Sequence, residues 1–224
     1  MQKSQTALVL IDLQKESNFG LDNMDTVIEN TKQIIAACRK ANIPIIYTRQ
    51  INRADTIGLS VGDPLKDDGT PVYYNSNTEQ IEIIDDIKPE ESDVVIDKDR
   101  WSAFYETNLD LTLRSLGVKD LLIGGLVSDG CLMTSVYDAY FRDYNIHLIH
   151  DICSASNEGS HMSSMIIMAN WVYNLKVYDT ENMTKKIQGE SFDFWESDQV
   201  DSLHFTASNL SEQFQKIVQL RKGE

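Results

Sequence analysis

Ala7-Leu8-Val9-Leu10-Ile11 is an uninterrupted apolar run that stops at Asp12. A run without polar alternation is what a parallel strand covered on both faces requires. The same pattern recurs at Ile43-Pro44-Ile45-Ile46-Tyr47, Val94-Val95-Ile96, Leu121-Leu122-Ile123 and Ile146-His147-Leu148-Ile149, with Leu175-Lys176-Val177-Tyr178 as a sixth candidate. Helical spacing fills the intervals. From Met24 to Ala41, Val27, Ile34, Ile35 and Cys38 share one stripe. Further helices are predicted over Leu109 to Leu116, closed by Gly117, over Cys131 to Tyr144, and over Ser160 to Tyr173. This alternation predicts an α/β fold, a mainly parallel, doubly wound sheet with helices on both faces.

With 224 residues and 42% apolar content, the chain suits one large domain spanning residues 1–224. Residues 50–92 differ, carrying the turn signals Asp63-Pro64 and Asp67-Asp68-Gly69 in a long excursion that suits a lid or a substrate wall. The extension from about residue 185 to 224 is polar and acidic until a terminal amphipathic helix near Leu210 to Leu220. No apolar stretch is long enough for a membrane span and no signal-peptide core is present, so a soluble, cytoplasmic protein is expected. Three cysteines without a Cys-x-x-Cys pair fit a reduced compartment. The net charge of −15 argues against nucleic acid and membrane surfaces as partners and leaves a small molecule.

In open parallel sheets, ligands gather beyond the carboxyl ends of the strands. Three chemically capable residues fall there. Asp12 closes the first run, Lys98 follows Val94-Val95-Ile96-Asp97, and Cys131 follows Leu121-Leu122-Ile123 through the turn Gly124 to Gly130. A thiol at a helix start feels the helix dipole, which favours thiolate and predicts a lowered pKa. A neighbouring cation assists this, and a carboxylate can take the thiol proton and return it to a leaving amine. Lys98 and Asp12 can supply these roles. His147 and His150 do not suit joint metal ligation, and Cys38 and Cys153 read as packing residues.

The segment Lys98-Asp99-Arg100-Trp101-Ser102-Ala103-Phe104, the turn Gly125-Leu126-Val127-Ser128-Asp129-Gly130-Cys131 with Asp138-Ala139 beyond it, and Ile11-Asp12-Leu13-Gln14 together resemble the isochorismatase-like cysteine hydrolases. The similarity runs from about residue 6 to 180. It implies a three-layer α/β/α domain with a six-stranded, mainly parallel, Rossmann-like sheet in the order 3-2-1-4-5-6, assembled as a homodimer or homotetramer. It also implies Cys131 as nucleophile, Asp12 as general base and acid, Lys98 as activating partner, and a cis peptide at Val127-Ser128 that helps aim amides at an oxyanion.

The departures are Ser128 where threonine is usual, Gly130 where an apolar residue is common, and Lys15-Glu16-Ser17-Asn18-Phe19 after the first motif. Phe19 and Trp101 are candidate pocket walls, and Arg49 and Arg53 candidate clamps for a substrate carboxylate. The metal-binding nicotinamidases of the superfamily carry an Asp-x-His after the second strand. Tyr47-Thr48-Arg49-Gln50-Ile51-Asn52 lacks it, so no metal or other cofactor is expected. The expected reaction is cleavage of a C–N bond in a small amide or ureide, such as a carbamoyl or biuret-like compound, through a thioester acyl-enzyme. The alternatives are an isochorismate-type ether hydrolase and a non-catalytic thiol-sensing or binding module.

Overall fold

The computed structural model describes residues 1–16, 20–197, 199 and 201–222. The opening apolar run forms β1 (Thr6–Ile11), buried at every position. It lies between β2 (Ile45–Gln50) and β4 (Asp120–Gly125), parallel to both. β3 (Val94–Lys98) flanks β2, while β5 (Asn145–Ile149) and β6 (Lys176–Tyr178) continue beyond β4, all parallel. The order is therefore 3-2-1-4-5-6 over the six runs read from the sequence.

Among the described residues the sheet is nevertheless eight-stranded, correcting the expected six. β7 (Asp193–Glu196) adds antiparallel to β6, and β8 (Arg221–Lys222) adds antiparallel to β7. Both lie in the extension read as a polar tail. Asp193 and Glu196 hide the apolar pair between them, yet Trp195 is buried and the Phe194 ring stacks on Tyr178 with centroids 5.6 Å apart.

The winding reverses between β1 and β4. Crossovers then carry α1 (Met24–Lys40) over one face and α3 (Met133–Tyr140) and α4 (Glu158–Trp171) over the other. α1 packs beside α5 (Thr180–Gln188), and α4 packs against α6 (Leu210–Val218). α2 (Leu109–Ser115) links β3 to β4. The stripe predicted for α1 is its buried face, Val27, Ile34, Ile35 and Cys38 included. Local signals place the later helices. The Asn157 side chain accepts from Ser160 N at the start of α4, and Asp179 does the same for Asn182 N in α5.

The excursion 50–92 holds two short 3-10 turns, Glu79–Ile81 and Asp85–Ile87, and no longer element. Its far half is tied to the first motif: Lys15 N donates to Glu82 O, and Ile84 N to Leu13 O. Among the described residues no helix is long and apolar enough to cross a membrane.

Candidate active site

The ends of β1 and β4 are drawn together at one glycine. Gly125 has φ +127°, and a Cβ there would lie 2.1 Å from Ile11 O, so no side chain fits. Leu126 N then donates to the same Ile11 carbonyl at 2.8 Å. This close approach delivers the turn after β4 to Asp12, whose own left-handed backbone (φ 48°) ends β1 abruptly.

Asp12 is sealed from water. Thr48, one strand over on β2, donates through Oγ1 to Asp12 Oδ1 at 2.6 Å. Lys98, the last residue of β3, places Nζ 2.7 Å from Asp12 Oδ2. Its protons align on Gln50 Oε1 (2.9 Å), the Arg100 carbonyl (3.0 Å) and Cys131 Sγ (3.4 Å). Asp12 Oδ2 therefore gains charge compensation but no aligned donor among the described residues. Gln50 is itself held by Gln14, whose Oε1 accepts from Gln50 N at 2.8 Å and whose Nε2 donates to Gln50 O at 3.0 Å.

Cys131 lies in a π-helical turn, Ser128–Leu132, in which Leu132 N reaches back to Val127 O. The α-helix proper starts two residues later. The lowered thiol pKa expected from the sequence is not found. Burial raises it to about 12, the Asp12 carboxylate adds to the rise, and the Lys98 ammonium opposes it only in part. Burial would lower the Lys98 pKa, but the charge of Asp12 leads the opposing contributions that hold it above its ordinary value. At rest the set pairs a protonated thiol with an ammonium beside a carboxylate.

The cis peptide falls at Leu126–Val127, one bond before the expected Val127–Ser128. Ser128 also faces away from the thiol. Its N–H donates to Ser154 O at 2.8 Å, and its hydroxyl lies 2.9 Å from that carbonyl and 2.8 Å from His161 Nδ1. Its amide is thereby committed behind the turn, whereas Val127 lines the cavity.

That cavity, about 390 Å³, is bounded by Gln50, Asn52, Tyr73, Tyr74, Trp101 and Cys131 among others. The excursion walls this cavity through Ser60, Asp63, Tyr73 and Tyr74, and Trp101, 63% exposed, lines it as well. Gly130 lines it too; a Cβ there would meet Val127 Cγ2 at 3.1 Å. Phe19 lies outside the described residues.

Arg49 and Arg53 do not act as clamps on this cavity. Side chains alternate along β2, so Thr48 and Gln50 face the site while Arg49 points away, bound to Asp97 (2.7 and 3.0 Å) and Glu82 (2.9 Å). Arg53 pairs with Asp55 in its own loop. The same alternation was the signal for Thr48 and Gln50, which reading by residue type alone passes over.

The segment after Lys98 is tied to α3: Ser102 Oγ donates to Asp138, and Ala103 N to Ser135 Oγ at 2.9 Å. The Ser102–Asp138 contact joins side chains of two of the motifs. The isochorismatase domain profile matches residues 6–181 and so takes in all of them.

The chain belongs to the isochorismatase family. Relatives in this family include the ureidoacrylate amidohydrolases of Acinetobacter baylyi, 26% identical over 219 residues (82% of this chain, 84% of the relative), and of Agrobacterium fabrum, 25% identical over 207 residues (80% and 86%). Among solved structures, a cysteine hydrolase from Pseudomonas syringae pv. phaseolicola superposes with TM-score 0.75 at 22% identity, covering 84% of this chain and 95% of that one. The N-carbamoylsarcosine amidase from Thermoplasma acidophilum gives 0.65 at 24% identity, covering 79% and 97%. At these identities the structural neighbours establish the isochorismatase-family fold. Among the described residues of this family member, no three His, Cys, Asp or Glu side chains are grouped to hold a metal ion.

Proposed function

We propose that this chain is a cysteine amidohydrolase that cleaves the C–N bond of a small amide or ureide. The observation carrying this reading is the contact set of Lys98 Nζ, 2.7 Å from Asp12 Oδ2 and 3.4 Å from Cys131 Sγ, beneath the cavity that Cys131 lines. The relatives named as ureidoacrylate amidohydrolases support the bond type.

The thiol is protonated at rest, so it needs a base at the moment of attack. Asp12 Oδ2, buried and without an aligned donor, takes that proton as Sγ bonds to the carbonyl carbon. Lys98 balances the charge on sulfur as it develops. With the Ser128 amide committed to Ser154, the amides of Val127 and Cys131 are the donors for the oxyanion. Collapse breaks the C–N bond, the Asp12 proton leaves with the amine, and a thioester remains. Asp12 then accepts a proton from water, whose oxygen attacks the thioester and frees the acid and the thiol.

The test is ammonia release from biuret, N-carbamoyl amino acids, ureidoacrylate and nicotinamide by wild type and Cys131→Ala. Release lost in the variant supports the reading. Equal release from both proteins overturns the nucleophile, and release from neither across a broad panel of amides overturns the amidase reading.

A further inference from the structure

The cavity over Cys131 carries three carboxylates. Asp63 comes from the excursion, Asp99 follows β3, and Asp129 lies in the cysteine turn, so three separate segments converge. Asp99 and Asp129 are exposed at the mouth and Asp63 is half-buried. No Lys, Arg or His is found among the described lining residues. Lys98 sits beneath the floor, sealed against Asp12. Arg53 is paired with Asp55 and also acts electrostatically on Asp99, Arg49 is paired with Asp97 and Glu82, and Arg100 donates to the carbonyls of Gly58 and Asp99. The chain as a whole carries −15.

A cleft with walls of one sign concentrates ions of the opposite sign and disfavours like-charged ligands. Trp101, 63% exposed, adds aromatic surface of the kind that binds alkylammonium and guanidinium groups through its π-face. A volume of about 390 Å³ holds one small molecule.

We propose that the substrate is an amide or ureide bearing an ammonium or guanidinium group, which sits among Asp63, Asp99, Asp129 and Trp101 while its carbonyl reaches Cys131. The proposal rests on reading this cavity as the substrate site. An amide bearing a carboxylate would set its charge against three others.

The sign of the cavity is read without turnover by modifying wild-type protein with two methanethiosulfonates of similar size, one carrying trimethylammonium and one sulfonate. Rates at Cys131 are followed by peptide mass spectrometry and divided by those for a small free thiol. The expected result is a preference for the cationic reagent of about tenfold or more at low salt, shrinking severalfold in Asp63→Asn and Asp129→Asn and in about 1 M salt. A second measurement compares the melting temperature of Cys131→Ser with L-argininamide and with succinamate, and the cation is expected to raise it more. Equal or reversed preference in either measurement overturns the proposal. Ammonia release is a separate readout, so a failed amidase reading leaves the labelling ratio unchanged, and a failed ratio leaves amide turnover intact.

Discussion

Lys98 and Asp12 form a buried ion pair, Nζ to Oδ2 2.7 Å, with side chains 0% and 1% exposed. Removing one partner strands the other charge away from water, which typically costs about 3–5 kcal/mol. Lys98→Met is therefore expected to lower the urea midpoint strongly. Adding Asp12→Asn should restore much of that stability, with a coupling of at least about 1 kcal/mol, and none of the activity. Additive losses would show that the pair is not coupled in the fold.

Asp12 raises the Cys131 pKa, so its removal has opposite effects on two readouts. In Asp12→Asn the Lys98 ammonium loses its carboxylate and favours the thiolate in its place. Iodoacetamide should then modify Cys131 faster than in wild type at mildly alkaline pH, by about tenfold for each unit of pKa decrease. Turnover should nonetheless be lost for want of a proton acceptor. Slower alkylation in the variant would contradict the charge arrangement.

Buried titratable groups limit the stable pH range on both sides. His147, His150 and His161 are depressed below the ordinary value of 6.5 chiefly by burial, His161 to about 4. Their contribution is present above 6.5 and is lost as pH falls through the folded values. Burial raises Cys38 and Cys131 to about 12, and Cys153 further, from 9.0. Their contribution is full below 9.0 and is lost as pH rises through the folded values. Urea midpoints should fall as pH drops below 6.5 and again at the alkaline end, where Lys186, lowered from 10.5 to about 8 chiefly by burial, offsets part of the cysteines' loss up to 10.5. Cys38→Ala should flatten the alkaline limb alone; an unchanged slope there would count against it.

His161 positions the cysteine turn from behind. Its Nδ1 lies 2.8 Å from Ser128 Oγ, and its ring meets Phe214 of α6 edge-on at 5.5 Å. If the Ser128 hydroxyl donates to Ser154 O, Nδ1 must carry a proton and donate to Ser128. His161→Ala is expected to cost about 1–3 kcal/mol and to lower kcat with little change in KM. Asn in its place, which keeps a donor near Nδ1, should restore kcat. Loss of stability without the kcat effect would limit His161 to packing.

Arg49→Ala should leave KM for any substrate of the site nearly unchanged, because its guanidinium is tied to Asp97 and Glu82 on the far face of β2. A large rise in KM in steady-state kinetics would mean that Arg49 reaches the cavity after all.

By itself the sequence determined the parallel core and singled out the three residues that the fold brings into contact. Uninterrupted apolar runs admit few alternatives to strands covered on both faces, and Asp12, Lys98 and Cys131 each stand at or just beyond the carboxyl end of such a run. The extension misled because Asp193-Phe194-Trp195-Glu196 is short and polar at both ends, and its apolar pair reads as a strand only once β6 and Tyr178 are there to pair with and pack against. Tertiary structure alone decided three things about the site. Burial beside Asp12 reversed the expected direction of the thiol pKa, since desolvation depends on neighbours that no local pattern records. The placing of β2 between β1 and β3 set Thr48 against Asp12, Gln50 against Lys98 and Arg49 against Asp97, partners that alternation along β2 does not name. Convergence of three distant segments brought Asp63, Asp99 and Asp129 to one opening, a juxtaposition set by chain crossings over the sheet and absent from their spacing along the chain.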